Sequence, residues 1–136
     1  MDKLEYIPGD LVMTKTEPNN FTPSGIVCKF EKSLERDMVL IMAINGIDRF
    51  VVEKEQIAPI PLTPEILEKN GWKDDGYDWY RLPTKRAYLY ITKDTKVKDE
   101  FLVCTGLEKH NLASVSFVHE LQHLLYGLKI NSGMEV

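Results

Sequence analysis

The chain contains little cysteine and no long hydrophobic run, and each absence excludes a class of protein. Only two cysteines, Cys28 and Cys104, occur in 136 residues, and both lie in apolar segments of strand-like composition. Two such residues do not make a disulfide scaffold, so we expect buried thiols in a reducing compartment. The longest apolar segment, residues 38–44, is far shorter than the ~20 residues that a membrane-spanning helix needs, so no membrane partner is expected.

The chain also lacks an apolar leader, a glycine-rich phosphate loop and an excess of positive charge. Residues 1–6 contain no hydrophobic run, which argues against a secretory signal peptide and, with the thiols, favours a cytoplasmic location. The 17 basic and 21 acidic residues leave a formal net charge of −4. Such a chain does not attract nucleic acid or an acidic membrane over its whole surface, although a local basic patch stays open.

Proline is concentrated at one place, and it divides the chain. Hydrophobic residues make up 43% and charged residues 28%, which is typical of a globular protein. Three prolines fall within residues 59–64, and because proline fixes its own φ and restricts the residue before it, this segment is extended. The spacing predicts a domain over residues 1–58, a proline connector over 59–62 and a second unit over 63–136.

The first domain has the pattern of a small β-barrel. Asn45-Gly46 predicts a hairpin with a two-residue type I′ turn, because both residues tolerate positive φ. A short fifth strand ends near Ile57. Several short strands within about 55 residues favour a closed barrel, since closure removes the sheet edges. The sequence therefore predicts an SH3-like barrel with its four main strands around residues 11–13, 26–30, 38–44 and 50–52.

The second unit reads as α-β-β-β-α. Thr63 is a helix N-cap, Pro64 suits the first helical position, and Gly71 suits the left-handed stop. The last helix is expected over about residues 116–128. Together with the barrel this is an α+β protein whose second unit contains an antiparallel three-stranded sheet, with strands over residues 78–82, 86–92 and 101–105.

The last helix is amphipathic at a period of about 100° per residue. The expected buried stripe consists of Phe117, Val118, Leu121, Leu124, Leu125 and Leu128. The side opposite this stripe carries His119, Gln122, His123 and Tyr126. The pattern therefore predicts that the histidines point away from the core.

The string His119-Glu120-x-x-His123 matches the motif of zinc metallopeptidases. Histidines at i and i+4 can bind one zinc ion, and the glutamate activates a zinc-bound water. A catalytic zinc needs a third protein ligand, for which His110 is the upstream candidate, while the only acid after the motif is Glu135. A minimal zinc metallopeptidase is therefore kept as the alternative. The main expectation is a solvated helix face with no catalytic residue, no metal site and no cofactor.

A second candidate site is polar and aromatic. Strict alternation places Arg86, Tyr88 and Tyr90 on one face of a strand, and Trp79 lies in the preceding strand. Aromatic rings that stack on bases and cations that hold phosphates are what a single-strand nucleic-acid groove needs. The competing interpretation is that this face is packed and its tyrosines belong to the core.

The Ile-Pro-Leu-Thr connector with its Leu67-Glu68-Lys69-Asn70-Gly71-Trp72 helix end, and the helix string Val118-His119-Glu120-Leu121-Gln122, carry a resemblance. Both resemble segments of a group of short uncharacterised proteins found in phages and prophages of gut bacteria, and the likeness covers most of residues 50–136. The resemblance implies a mobile-element origin and a place in the bacterial host cell, and it carries over no catalytic residue.

These observations lead to three functional hypotheses. The leading one is a non-enzymatic binding or adaptor module whose partner, protein or nucleic acid, is unknown. The alternatives are the zinc metallopeptidase with Glu120 as its base and the single-strand nucleic-acid binder that uses the strand face.

Overall fold

The chain is an α+β protein built mostly of sheet. Over the residues it describes, a computed structural model shows two antiparallel sheets of five strands each and two α-helices. The chain forms two compact units, Met1–Ile60 and Pro61–Val136, so the division falls within the proline-rich segment. The structure describes residues 6–15, 25–44, 46–77, 79–84, 88–93, 100–105, 110–130 and 133–136.

The first unit is all-β over its described residues, as the sequence predicted. Its strands are β1 (Leu11–Thr14), β2 (Val27–Ser33), β3 (Met38–Ala43), β4 (Arg49–Glu53) and β5 (Ile57–Pro59). They lie in the order β4-β3-β2-β1-β5. A 3₁₀ turn, Lys54–Gln56, reverses the chain so that β5 pairs antiparallel with β1. Among the described strands no pairing joins β4 to β5, so the sheet is not closed by its hydrogen bonds.

The core of the first unit follows the alternation of its strands. Phe30, Ile41 and Phe50 lie opposite one another on three neighbouring strands. Because paired residues share a face, these side chains face the core together. Their buried cluster is completed by Val12, Cys28, Val39, Val52 and Ile57.

The first unit contains two hairpins of neighbouring strands, β2–β3 and β3–β4. The predicted β3–β4 hairpin exists, and Ala43 N–H donates to Asp48 O at 2.8 Å at its end. The turn with positive φ at both central residues lies between β2 and β3, at Arg36 (φ 60°) and Asp37 (φ 57°). Met38 N–H closes it by donating to Glu35 O at 3.2 Å. The prediction of a type I′ turn at Asn45-Gly46 includes Asn45, which lies outside the described residues.

The second unit contains more strands than expected. Its elements are α1 (Pro64–Lys69), β6 (Lys73–Gly76), β7 (Trp79–Pro83), β8 (Tyr88–Lys93), β9 (Phe101–Thr105), β10 (His110–Val115) and α2 (Val118–Gly127). The five strands form a meander in the order β10-β9-β8-β7-β6. The prediction of three strands is wrong because both additional strands are sheet edges. The four residues of β6 are all exposed, so they carry no hydrophobic alternation.

One face of this second sheet is the core side of the unit. The register places Leu82 opposite Leu89. A β-carbon on Gly71 would lie 3.8 Å from Leu82 Cδ1, so the end of α1 lies against this face. Helix α1 begins as predicted, with the Thr63 hydroxyl accepting from Ile66 N–H at 3.3 Å. The buried strand residues on this side are Leu89, Ile91, Phe101, Val103 and Val115.

Candidate functional site

Helix α2 is held at its start by Glu120. One carboxylate oxygen, Oε1, accepts from Ser116 N–H at 2.8 Å and from Phe117 N–H at 3.1 Å. This is the glutamate half of a capping box, and Phe117 has no side-chain acceptor that could form the other half. The same entry segment is tied to the connector, because Leu62 N–H donates to Ser116 O at 3.0 Å. Glu120 therefore has a structural role at the point where the zinc motif would require a catalytic base.

The buried side of α2 overlaps the predicted stripe, since Val118, Leu121 and Leu125 are buried, but it also includes residues predicted to lie outside the stripe. His119 is 0% exposed and Gln122 is also buried. Leu124 is only half-buried, and Leu128 is exposed. The expectation that His119 and Gln122 point to solvent is therefore wrong. The leucines of α2 lie within one arc of the helix, and the buried side is rotated from that arc toward His119 and Gln122, because tertiary contacts decide which side faces the core.

The two histidines of the motif do come together. The ring centroids of His119 and His123 are 5.5 Å apart with the planes nearly perpendicular, and Phe117 stacks on His119 at 6.0 Å. Two imidazoles bound tetrahedrally to one zinc ion would have centroids about 5 Å apart. The spacing of the pair is therefore compatible with a shared metal, whereas the burial of His119 and the hydrogen bonds of Glu120 belong to the packing of the helix.

The candidate third ligand of the alternative zinc hypothesis was His110. His110 begins β10, but its side chain lies outside the described residues. Within the part of the chain that the structure describes, no group of three histidine, cysteine or acidic side chains is placed to hold a metal ion. The only acid after the motif, Glu135, pairs through its backbone with the Asn70 side chain at the end of α1. Both hydrogen bonds, Glu135 N–H to Oδ1 and Nδ2 to Glu135 O, are 2.7 Å long.

The polar-aromatic residues of the second sheet form one cluster, which we call the aromatic–arginine face: Trp79, Arg81, Tyr88 and Tyr90. The Arg81 guanidinium lies over the Tyr88 ring, 5.2 Å from its centroid. Trp79 meets Tyr90 edge-on at 6.4 Å, and Tyr88 lies 6.4 Å from Tyr90. The structure thus brings together three of the four predicted residues, while Arg86 lies outside the described residues.

The members of this face differ in their exposure. Tyr88 is 44% exposed, whereas Tyr90 is only 9% exposed. The competing interpretation, that the tyrosines belong to the core, therefore holds for Tyr90 and not for Tyr88. The cluster also includes Arg81, which was not among the predicted binding residues. Its position opposite Tyr90 across the β7–β8 pair brings it there, and the shared alternation with Trp79 in the sequence is the signal that identifies it.

The charge of Arg81 is partly neutralised by a neighbour. Asp75 Oδ1 lies 3.6 Å from Arg81 Nε, in a half-exposed ion pair. Asp74 on the same strand accepts from Gly76 N–H at 2.8 Å through its side chain, which stabilises the β6–β7 turn. Since the Asp75 carboxylate lies beside the arginine, the local charge does not favour a polyanion as strongly as the strand sequence suggested.

The cysteines are buried, as predicted, and neither forms a disulfide. Burial raises the pKa of the Cys28 thiol from 9.0 to about 11. Its Sγ contacts Ile26 O at 3.8 Å. A thiol with so high a pKa stays protonated at neutral pH, which does not favour Cys28 as a nucleophile.

Comparison with known proteins adds no relative. No protein-family model, curated protein or solved structure matches the chain. Among the described residues, neither helix has the length and apolar character needed to cross a membrane.

Proposed function

We propose that the protein is a non-enzymatic binding or adaptor module. The observation that carries this proposal is the use of Glu120, whose carboxylate accepts two backbone hydrogen bonds at the start of α2. In a zinc peptidase this carboxylate must be available to take a proton from a metal-bound water. His119 is also completely buried, which favours a packing role for this residue in α2.

The aromatic–arginine face is the binding surface we assign to the module, and a protein is its partner. Tryptophan, tyrosine and arginine are the residue types that dominate the energetics of protein interfaces. Asp75 beside Arg81 and the net charge of −4 make the surface better suited to a mixed polar and apolar partner than to a phosphate backbone. Tyr88 is the central contact, since it is the most exposed of the four residues. The Arg81 guanidinium lies over its ring.

Single-strand nucleic-acid binding remains the second candidate. It is favoured by one observation, the stacking of Arg81 on the half-exposed Tyr88, because an arginine and a tyrosine in this arrangement can hold a base between ring and guanidinium.

The fold of the first unit and the origin of the protein are further parts of this proposal. The first unit is an SH3-like barrel, which is supported by five short antiparallel strands whose last member returns to pair with the first. The protein originates from a phage or prophage and acts in the cytoplasm of its bacterial host, which is supported by the resemblance of the connector and the α2 string.

Metal analysis separates the module from the peptidase. Tag-free protein titrated with zinc is expected to show no stoichiometric site that depends on His123. The proposal is overturned if one zinc binds per chain, the site disappears on His123→Ala, and peptide hydrolysis disappears on Glu120→Gln.

A cross-linking experiment in host cells tests the surface. Tyr88→Ser and Arg81→Glu are expected to lose the cross-linked partner that the wild type captures. Tyr126→Ser is the matched control, because Tyr126 is an exposed tyrosine of the same unit that lies on α2 and is not a member of the cluster. Equal capture by all four proteins would rule out the aromatic–arginine face as the binding surface.

A further inference from the structure

We infer that two copies of this chain associate through the outer edge of β4, which continues the first sheet antiparallel across a two-fold axis. The inference is independent of the proposed function and concerns the first unit only. Strand β4 is the last in the order of its sheet, and none of the described strands pairs with its outer edge. An exposed strand edge is a template for pairing with another chain.

The backbone N–H and C=O groups along β4 alternate in direction, so that every second residue can pair with a further strand. Lys54 N–H donates to Asp37 O and Ala43 N–H donates to Asp48 O, each at 2.8 Å. In an antiparallel ladder the hydrogen-bonded positions alternate, so residues 48, 50, 52 and 54 direct their backbone groups at β3. The N–H and C=O groups of Arg49, Val51 and Glu53 therefore point away from the sheet, toward the free edge.

The side chains of these three residues are complementary to themselves. Arg49 and Glu53 lie symmetrically about Val51, which is 51% exposed. A two-fold axis at Val51 places each Arg49 opposite Glu53 of the second copy and the two valines opposite each other. Opposite charges in directly paired positions stabilise a strand pair, and an apolar pair at its centre adds to this.

The same charges select one register. Sliding the second strand so that Arg49 faces Arg49, or Glu53 faces Glu53, brings like charges together, and like charges directly opposite are destabilising. Charged residues on an edge strand commonly prevent pairing. Here the signs are opposite, and among the symmetric registers only the one centred on Val51 places Arg49 directly opposite Glu53.

Gln56 limits the length of the shared ladder. Its side-chain oxygen accepts from Glu53 N–H at 2.9 Å, so one of the outward donors is already occupied. With Gln56 in place, the pair is held by the two bonds between the valines and by one bond from each Arg49 N–H to Glu53 O of the second copy. So short a ladder predicts a weak, concentration-dependent dimer.

Sedimentation velocity from micromolar to millimolar protein tests the inference. The wild type is expected to pass from monomer to dimer, and Arg49→Glu or Glu53→Arg alone is expected to weaken association at least about tenfold through like-charge contacts. An equimolar mixture of these two variants is expected to associate again, because each Glu of one chain then meets an Arg of the other. A monomeric wild type over the whole range, or a mixture that stays monomeric, would overturn the inference.

Two further variants test whether the association depends on the backbone and charges of the β4 edge. Arg49 also forms an ion pair with Glu31 at 3.3 Å, so Glu31→Gln is the control that removes this pair without changing the edge, and it is expected to leave the association within about twofold. Gln56→Ala frees Glu53 N–H and is expected to tighten the dimer severalfold. Amide exchange supplies a direct readout: the Arg49 and Val51 amides must become protected as concentration rises, and unchanged exchange alongside dimerisation would place the interface elsewhere.

Discussion

At the residue scale, the effect of substituting Glu120 on stability tests its role as the cap of helix α2. We expect Glu120→Ala to lower the free energy of unfolding by about 1 kcal/mol, because two backbone N–H groups lose their acceptor. Glu120→Gln keeps an acceptor oxygen and should cost clearly less. Urea unfolding of the three proteins measures both differences. Equal stability of the alanine variant and the wild type would contradict the capping role.

Cys28 predicts how the stability of the protein changes at alkaline pH. Its thiol has a pKa of about 11 in the folded chain and 9.0 ordinarily, so between these values the unfolded chain ionises while the folded chain does not. The linked free energy is fully present below pH 9 and is lost as the pH rises toward 11, by roughly 2–3 kcal/mol. Denaturant midpoints at several pH values check this. Cys28→Ala is the control, and an unchanged pH slope in that variant would refute the assignment.

At the element scale, both helices end in the same motif with different residues. In α1, Trp72 N–H donates to Leu67 O at 3.0 Å and Gly71 has φ +90°. In α2, Ile130 N–H donates to Leu125 O at 2.9 Å and Lys129 has φ 60°. These are the six-to-one hydrogen bonds of a Schellman ending, in which the left-handed position favours glycine. Helix α2 therefore keeps a strained lysine where α1 has the preferred residue.

Reciprocal substitutions test this comparison. Lys129→Gly is expected to raise the free energy of unfolding by up to about 1 kcal/mol, because an L side chain in the left-handed region is sterically disfavoured. Gly71→Ala is expected to lower it by about 1 kcal/mol or more for the same reason. Calorimetric melting of both variants supplies the measurement. A destabilised Lys129→Gly protein would show that the lysine side chain makes a contact whose stabilisation exceeds the cost of the left-handed backbone.

The β2–β3 turn offers a second stabilising change. Arg36 and Asp37 both have positive φ, and asparagine followed by glycine is the pair that this geometry prefers. The double variant Arg36→Asn, Asp37→Gly is expected to be more stable by about 1 kcal/mol. Guanidinium unfolding checks the gain. Glu35→Gln in the same turn is a control with no expected change, and a loss of stability in the double variant would contradict the turn assignment.

At the scale of the whole molecule, charge decides between the two candidate partners. With a net charge of −4 and Asp75 beside Arg81, the protein should bind a single-stranded oligonucleotide no more tightly than about 100 μM at physiological salt, the weak end of non-specific binding. Fluorescence anisotropy measures this. Tight binding that is steeply salt-dependent and lost in Tyr88→Ala would favour the nucleic-acid candidate over the protein partner.

The sequence predicted the parts of the fold whose signals are local. The all-β first unit, the α1 cap at Thr63 and stop at Gly71, and the strand Phe101–Thr105 were all correct. The errors arose where tertiary context decides. Strand β6 is a fully exposed edge, so its residues have no reason to alternate. The buried side of α2 depends on what the helix contacts, which its leucine-rich sequence leaves open.

The candidate site was harder to predict than the fold. The proximity of His119 and His123 followed directly from helical spacing. The capping role of Glu120 was predictable in principle, since a glutamate three positions after a helix start is the capping signal, but the phenylalanine at the cap position obscured it. Arg81 joins Tyr88 only through the register of β7 and β8, which a single sequence does not provide.

The pairing of Asn70 with Glu135 has a kinetic consequence. These residues are 65 positions apart, whereas the strands between them form a meander of sequence neighbours. Closing so long a loop costs chain entropy that local hairpins do not have to overcome. We therefore expect the hairpins to form first during folding and the segment around Glu135 to dock last. The same segment should be the first to detach when the second unit begins to unfold.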